Sequence, residues 1–330
     1  MTTRAASDSS ASSSHSVAVT APVSPPVGRR TRWLLLANVV AQVMIVVSGG
    51  LVRLTGSGLG CPRWPECTTG SLVPVTNQPQ GFHKFIEFGN RTLTFALVAI
   101  AGAALVAIVV AVRRSSPRRW RLVVLAGTVV AGIFGQAIIG GISVLTGLNP
   151  LLVAAHLLLS IGIIASAFVL WRWAAEPSGP TVVVVRPELR NLAWVLVGLA
   201  VAVLALGTVV TGSGPHSGDA DAVHRLPFDP RYVSWLHADV VILFVGLSIA
   251  FWLGARLTGA PDRVTRQSLW LLGALVAQAS IGYLQFFSGL PWALVAAHML
   301  GACLVWLATL AVLLSTRESA ASSSLAARPD

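Results

Sequence analysis

Eight stretches of near-uniform apolar character, each close to twenty residues long, decide what this chain can become. Their approximate limits are 33–52, 90–112, 121–142, 152–173, 191–211, 235–255, 268–288 and 292–314. About twenty apolar residues match the hydrocarbon thickness of a bilayer. The backbone finds no water there, so each stretch must satisfy its own N–H and C=O groups as a helix. Composition agrees. Hydrophobic residues make up 55% of the chain and charged residues only 11%, against roughly 25% charged in soluble domains. Mean hydropathy is +0.76. A secreted disulfide scaffold, a nucleic-acid binder and a disordered chain are excluded. The second helix is expected to start before its apolar run, near Phe82, with one or two polar turns. Residues 1–28 and 315–330 are read as disordered tails. No apolar core follows Arg4, so the first of these is not read as a signal peptide.

The net charge of +11 looks at first like a nucleic-acid signal. Lys84 is the only lysine among 23 basic residues, and the basic residues sit at the ends of apolar segments. Such charges set membrane topology. With the N-terminus placed inside, 17 basic residues fall on inner segments and 6 on outer ones. That split puts both termini in the cytoplasm, the protein in the plasma membrane, and stretches 53–81 and 212–234 outside.

The second half repeats the first. At a fixed offset of 142, Gln136 matches Gln278, Gly140 matches Gly282, Gly147 matches Gly289, and the strings Val153–His156 and Val295–His298 are identical. Thr55-Gly56-Ser57-Gly58 returns as Thr211-Gly212-Ser213-Gly214. Four helices per half is an even number, so the repeats are parallel rather than inverted. The expected fold is an all-α membrane protein with eight transmembrane helices. They form two parallel-repeat four-helix bundles, residues 29–173 and 174–314.

Ionisable groups inside a membrane are costly and mark functional sites. His156 and His298 open the fourth and eighth helices at matching repeat positions, and His237 opens the sixth. His237 and His298 then stand at similar depth on two helices of one bundle, an arrangement suited to bis-His haem ligation. Zinc is the weaker reading, since no cysteine or third ligand accompanies the pair. The first half offers His156 but no second histidine, because Asn90 occupies the place of His237. Glu87 lies one turn after His83 and three residues before Asn90, so all three can share a helix face. Burial would suit Glu87 to proton transfer, and a partnership with Arg91 or Lys84 is the alternative. Asp239 is read as structural or as a neighbour of a haem propionate. Cys61 and Cys67 lie six apart in an outer stretch that holds two prolines, and can form a disulfide there. A structural staple and a redox pair both remain open. Cys303 reads as inert packing inside the last helix.

These residues together resemble the haem A synthase family. The resemblance rests on Gly49–Leu59 followed by Cys61-Pro62-x-Trp64-Pro65-x-Cys67, on Ile86-Glu87-Phe88 with Asn90-Arg91, and on the three histidine helix starts. It covers about residues 33–314 and looks like the actinobacterial pattern. It implies oxidation of the C8 methyl of haem O to the formyl of haem A. His237 and His298 would bind haem B as the electron-transfer cofactor, and His156 would bind the iron of the substrate haem O. Glu87, Asn90, Cys61 and Cys67 fall at catalytic positions, and Arg91 at a cofactor-binding one. Implied partners are haem O synthase, the cytochrome oxidase assembly machinery and membrane lipid; a homo-oligomer stays open. The chain departs from many members in carrying Asn90 where they carry histidine. The first-half iron is then five-coordinate, or ligated by a water that Asn90 holds. Haem propionates would reach toward Arg53, Arg91, Arg225 or Arg231.

Two other functions compete. A di-haem electron-transfer subunit would need two intact histidine pairs staggered across the bilayer. A transporter built from parallel repeats would need broken helices near the midplane. The unequal halves and the unbroken apolar spans favour the haem-modifying oxidoreductase.

Overall fold

In the computed structural model the chain is described at residues 23–216, 218–219 and 224–320. Eight helices follow in order: α1 (Arg29–Leu54), α2 (His83–Arg113), α3 (Trp120–Leu145), α4 (Pro150–Ala174), α5 (Pro187–Ser213), α6 (Pro230–Leu257), α7 (Asp262–Phe287) and α8 (Trp292–Ser315). Each is long and apolar enough to cross a membrane. Most exceed their apolar stretch by a few residues, and α2 starts at His83, ahead of its apolar run, as expected. Proline at the first position, where no N–H is needed, opens α4, α5 and α6. Asn149 and Asp229 cap α4 and α6 by accepting from Leu151 N (2.9 Å) and Arg231 N (2.7 Å).

The helices form two rings. In the first, α1 touches α2 and α4, and α3 touches α2 and α4; α5–α8 close in the same way. Within each ring the second and fourth helices stand diagonally. The rings meet through α1 with α8 and through α4 with α5 and α8. A continuous apolar core runs through both, from Val39 and Ile164 to Phe244 and Leu271. Large apolar side chains such as Phe95, Val124, Ile242 and Trp270 are exposed on the outer faces, as a lipid-facing surface requires.

The repeat reaches down to single hydrogen bonds. The α3–α4 turn places Gly147 and Leu148 at φ 62° and 62°; the α7–α8 turn places Gly289 and Leu290 at φ 78° and 60°. Leu148 N donates to Ser143 O and Leu290 N to Gln285 O, both at 2.8 Å. Each turn closes its helix with a left-handed residue and a bond back to the last turn. A leucine in the left-handed region costs about 1–2 kcal/mol, so both halves keep the same strained turn.

Two parts of the expected tails are ordered. Ser24 is buried, its N–H donating to Ser178 Oγ (2.6 Å) and its hydroxyl to Pro117 O (3.0 Å); Val27 N donates to Ala174 O. At the other terminus, β2 (Arg317–Ser319) pairs antiparallel with β1 (Thr181–Val183) in the α4–α5 connection. Residues 23–28 and 315–320 therefore pack against the helix ends, because their backbone groups find partners there. The remainder of both expected tails lies outside the described residues.

A buried bond joins the rings. Trp306 on α8 donates its indole N–H to Ile161 O on α4 at 3.1 Å. Trp306→Phe should cost only about 0.6 kcal/mol, the average for a polar contact between membrane helices. Trp306→Ala should cost about 3–5 kcal/mol through the cavity it leaves. Thermal unfolding in detergent compares the two; equal losses would put the weight on the hydrogen bond instead of the packing.

Candidate functional site

Three histidine rings sit on three glycines. His156 on α4 lies over Gly140 of α3, His298 on α8 over Gly282 of α7, and His237 on α6 over Gly207 of α5. A Cβ at these glycines would stand 3.0, 3.2 and 3.4 Å from the respective imidazole Cε1. The first two contacts are tighter than nearly all real Cβ contacts, so the absence of a side chain is what admits the ring. The neighbouring helix also fixes ring height. Gln136 Nε2 donates to His156 O and Gln278 Nε2 to His298 O, both at 2.9 Å. The repeat thus preserves ring, seat and brace together.

None of the three imidazoles finds a hydrogen-bond partner among the described residues. Each Nδ1 is buried and unpaired; that of His237 has the Val203 backbone as its electrostatic neighbour, without a hydrogen bond of normal geometry. Polar atoms left without partners inside a protein are expensive. Each Nδ1 lies toward the seating glycine, which leaves Nε2 as the nitrogen that could take a metal, with Nδ1–H as the donor such a ligand directs at a neighbouring acceptor. His237 lies within electrostatic range of His298, on diagonal helices of one ring, and that pair fits a bis-His haem. His156 has no histidine across its ring. No cluster of three or more His, Cys, Asp or Glu side chains suited to a metal ion occurs among the described residues, so the zinc reading gains nothing.

The first-half partner is Asn90. Its Oδ1 accepts from Ser48 Oγ at 2.8 Å. That commits the amide oxygen to α1 and leaves the NH2 group for whatever occupies the space between α2 and α4. Ser48 could not be singled out from the sequence, because only the crossing of α1 and α2 brings it to Asn90.

The rest of the α2 start faces the outer stretch instead. Glu87 Oε2 accepts from Cys61 N at 2.6 Å, and Glu87 Oε1 pairs with Arg91 Nη2 at 2.6 Å. Arg91 also donates to the carbonyls of Cys61, Arg63 and Glu66 at 2.8–3.2 Å. Lys84, itself buried, donates to Val75 O and Thr76 O at 2.6 and 2.8 Å. His83 Nδ1 shares a 2.8 Å bond with Ser57 Oγ. The four residues clamp the stretch 55–82 along one helix face. The partnership with Arg91, one of the two readings for Glu87, is present. Arg91 is thus engaged by Glu87 and by three carbonyls of the loop.

The clamped stretch is a lid. Cys61 and Cys67 form a disulfide with Cα atoms 4.2 Å apart, and both are fully buried. Trp64, inside that bridge, lies against Gly141, next to the glycine that seats His156. A side chain at Gly141 would collide with the indole, so Gly140 and Gly141 hold a ring each. Trp64, which the cysteine motif contains but sequence reasoning did not assign, thus packs next to the His156 seat.

The second outer stretch fastens to the first. Arg53 donates to His216 O (2.7 Å) and Thr211 O (3.1 Å), and Gly58 N donates to Gly218 O. His216 Nε2 approaches Leu290 O at 3.1 Å, and the His224 ring packs near Gly147. The two histidines therefore reach the two repeat-related turns. Arg53 is occupied by this junction. Arg225 and Arg231 remain exposed, Arg231 over the Trp235 ring. Asp239 is exposed, and Cys303 is a buried free thiol.

Known proteins bear on this arrangement. A family model described as a cytochrome oxidase assembly protein, COX15-CtaA, matches residues 31–217. The heme A synthase of Cereibacter sphaeroides is 28% identical over 343 aligned positions, covering 83% of this chain and 84% of the relative. That of Symbiobacterium thermophilum is 28% identical over 273 positions, 77% and 84% of the two chains. That of Lysinibacillus sphaericus is 31% identical over 134 positions, 40% and 41%. With the family model covering more than half of its length and eight helices fit to cross a bilayer, the chain is a multi-pass membrane protein that belongs to the COX15-CtaA family of cytochrome oxidase assembly proteins.

Proposed function

We propose that this protein is a haem A synthase-like oxidoreductase that converts the C8 methyl of haem O to the formyl of haem A. It works in the plasma membrane with both termini cytoplasmic, the orientation supported by the 17-to-6 split of basic residues. One observation carries the reading: each half holds a glycine-seated, glutamine-braced imidazole, but only the second half adds another imidazole across the ring. Relatives named heme A synthase, aligned over most of the chain, supply the chemistry.

His237 and His298 would hold a haem B, a group that would supply one-electron transfer when bound there. His156 binds the iron of the substrate haem O. Asn90, its orientation set by Ser48, would hold a water in the same half. The lid of residues 55–82 covers this half, with Trp64 beside His156 and the disulfide as a staple buried from solvent reductants. Glu87 positions the lid through Cys61 and Arg91. It is also the one buried carboxylate among the described residues, and so the acid placed to accept a proton from the first-half site. Arg225 and Arg231 are the free cations at this face for propionates. Haem O synthase and the oxidase assembly machinery are the partners that supply substrate and receive product.

Haem extraction and chromatography on the purified protein, with a reduced-minus-oxidised spectrum, test the proposal. Haem B with haem O or haem A is the expected content. His298→Ala should deplete haem B selectively, and His156→Ala should keep haem B while abolishing haem A formation. Two haem B per chain, with neither haem O nor haem A, would sink the proposal in favour of an electron-transfer subunit.

The seats give a second test. Gly282→Val should displace the His298 ring and lower haem B content several-fold, while Gly140→Val should spare haem B and cut product. Far-UV circular dichroism checks that helicity is unchanged. The same loss of haem B from both variants would contradict separate sites.

A further inference from the structure

At the end of the molecule away from the lid, a second set of polar groups serves nothing in the activity proposed above. Here the start of α3, the end of α4, the start of α7 and the end of α8 converge with the β1–β2 pair. Arg119, Arg172, Arg263 and Arg317 meet only two carboxylates, Glu176 and Glu318. Arg263 Nη2 pairs with Glu318 Oε2 at 2.7 Å. Arg317 Nη2 reaches Glu176 Oε2 only at 3.5 Å, an ion-pair distance without a hydrogen bond. Arg119 donates to the carbonyls of Glu176 and Trp173. Arg172 forms no hydrogen bond or ion pair to any described residue. Its electrostatic neighbours are Glu176 and two like charges, Arg263 and Arg317.

The same corner gathers buried donors that have no acceptor: Trp173 Nε1, Arg263 Nε, Arg317 Nη2 and the Ser319 hydroxyl. The Arg317 guanidinium also lies 4.9 Å from the centre of the Trp173 ring. Buried charge without a partner is strongly unfavourable. Two of the four donors are neutral and two belong to guanidinium groups that each hold one carboxylate; together, with positive charge in excess by two, they describe one missing acceptor with several oxygens. Guanidinium groups match phosphate by presenting planar forks of N–H donors.

We infer that this corner is a binding site for the phosphate of an anionic ligand, either a phospholipid headgroup or free phosphate. Arg172 is its direct ligand, and Arg263 and Arg317 flank it. Because Arg119 and Arg172 come from the first ring, and Arg263 and Arg317 from the second ring and its trailing strand, the bound anion bridges the halves.

The full-length protein is delipidated in detergent. Its thermal midpoint is then followed against phosphatidylglycerol, phosphatidylcholine and inorganic phosphate. A rise with phosphatidylglycerol alone assigns the headgroup, and an equal rise with inorganic phosphate assigns the free ion. Arg172→Gln should weaken the response about tenfold, as expected for one charge-assisted hydrogen bond. Arg256→Gln, at an exposed arginine of the same end, should leave it unchanged. Equal responses to phosphatidylcholine and phosphatidylglycerol with none to phosphate, or an unaltered response in Arg172→Gln, would overturn the inference. Should that variant fail to fold, native mass spectrometry of the wild-type chain decides. Retention of a phosphate-bearing ligand after delipidation supports the site, and its complete loss without a fall in thermal midpoint refutes it.

Discussion

An imidazole laid on a glycine of the neighbouring helix is the contact on which the candidate site depends. The ring replaces the side chain that would otherwise keep two helices apart. It is held at a fixed height by a glutamine that bonds the histidine's own carbonyl. Each Nδ1 faces the seating helix, that of His237 toward the Val203 backbone. The seat thus orients an imidazole through shape and leaves Nε2 for a ligand. In lipid, where apolar surface provides no drive between helices, such close approach at small residues is also what holds helices together. Function and packing share the same glycines.

The outer face is built by the opposite kind of contact. Glu87, Arg91, Lys84 and His83 form a column on α2 that bonds backbone carbonyls, a backbone N–H and a hydroxyl of the lid. An irregular stretch at a membrane surface has backbone groups that neither helix nor lipid satisfies. The charged column supplies those partners, and the buried disulfide removes much of the freedom the stretch would otherwise have. Trp64 carries the result across to α3, one residue from the seat of His156. The second outer stretch adds Arg53 and His216 as ties between the rings. The first-half candidate site is thereby bounded by α2, α4 and the lid.

Much of this was legible beforehand, for identifiable reasons. Eight helices follow from apolar length alone, and repeat symmetry follows from Gln136, Gly140 and His156 returning 142 positions later. The early start of α2 was readable because His83–Arg91 are polar but helix-compatible. What escaped reading depends on contacts between distant segments. Glu87 has two plausible partners by spacing, and only the path of the lid adds Cys61 and selects Arg91. Trp64, Ser48 and the Gly207 seat have no periodic signature. The ordered stretches at 23–28 and 315–320 have tail-like composition, yet Ser24 finds Ser178 and Arg317–Ser319 finds Thr181–Val183 because the helix ends gather there. Composition reports average solvation, not the presence of a partner.

The divergence of the halves can be traced one step further. Aligning Thr55–Gly58 with Thr211–Gly214 sets Leu51 against Gly207, the seat of His237. The position aligned with the glycine under His237 therefore carries a side chain in the first half. The first half instead carries Asn90, a shorter side chain turned toward Ser48. Loss of the second imidazole and loss of its seat are therefore one change seen on two helices. Where the second half places an imidazole, the first half places a hydrogen-bonding amide. The two halves keep the seated ring on their fourth helix and differ in what faces it.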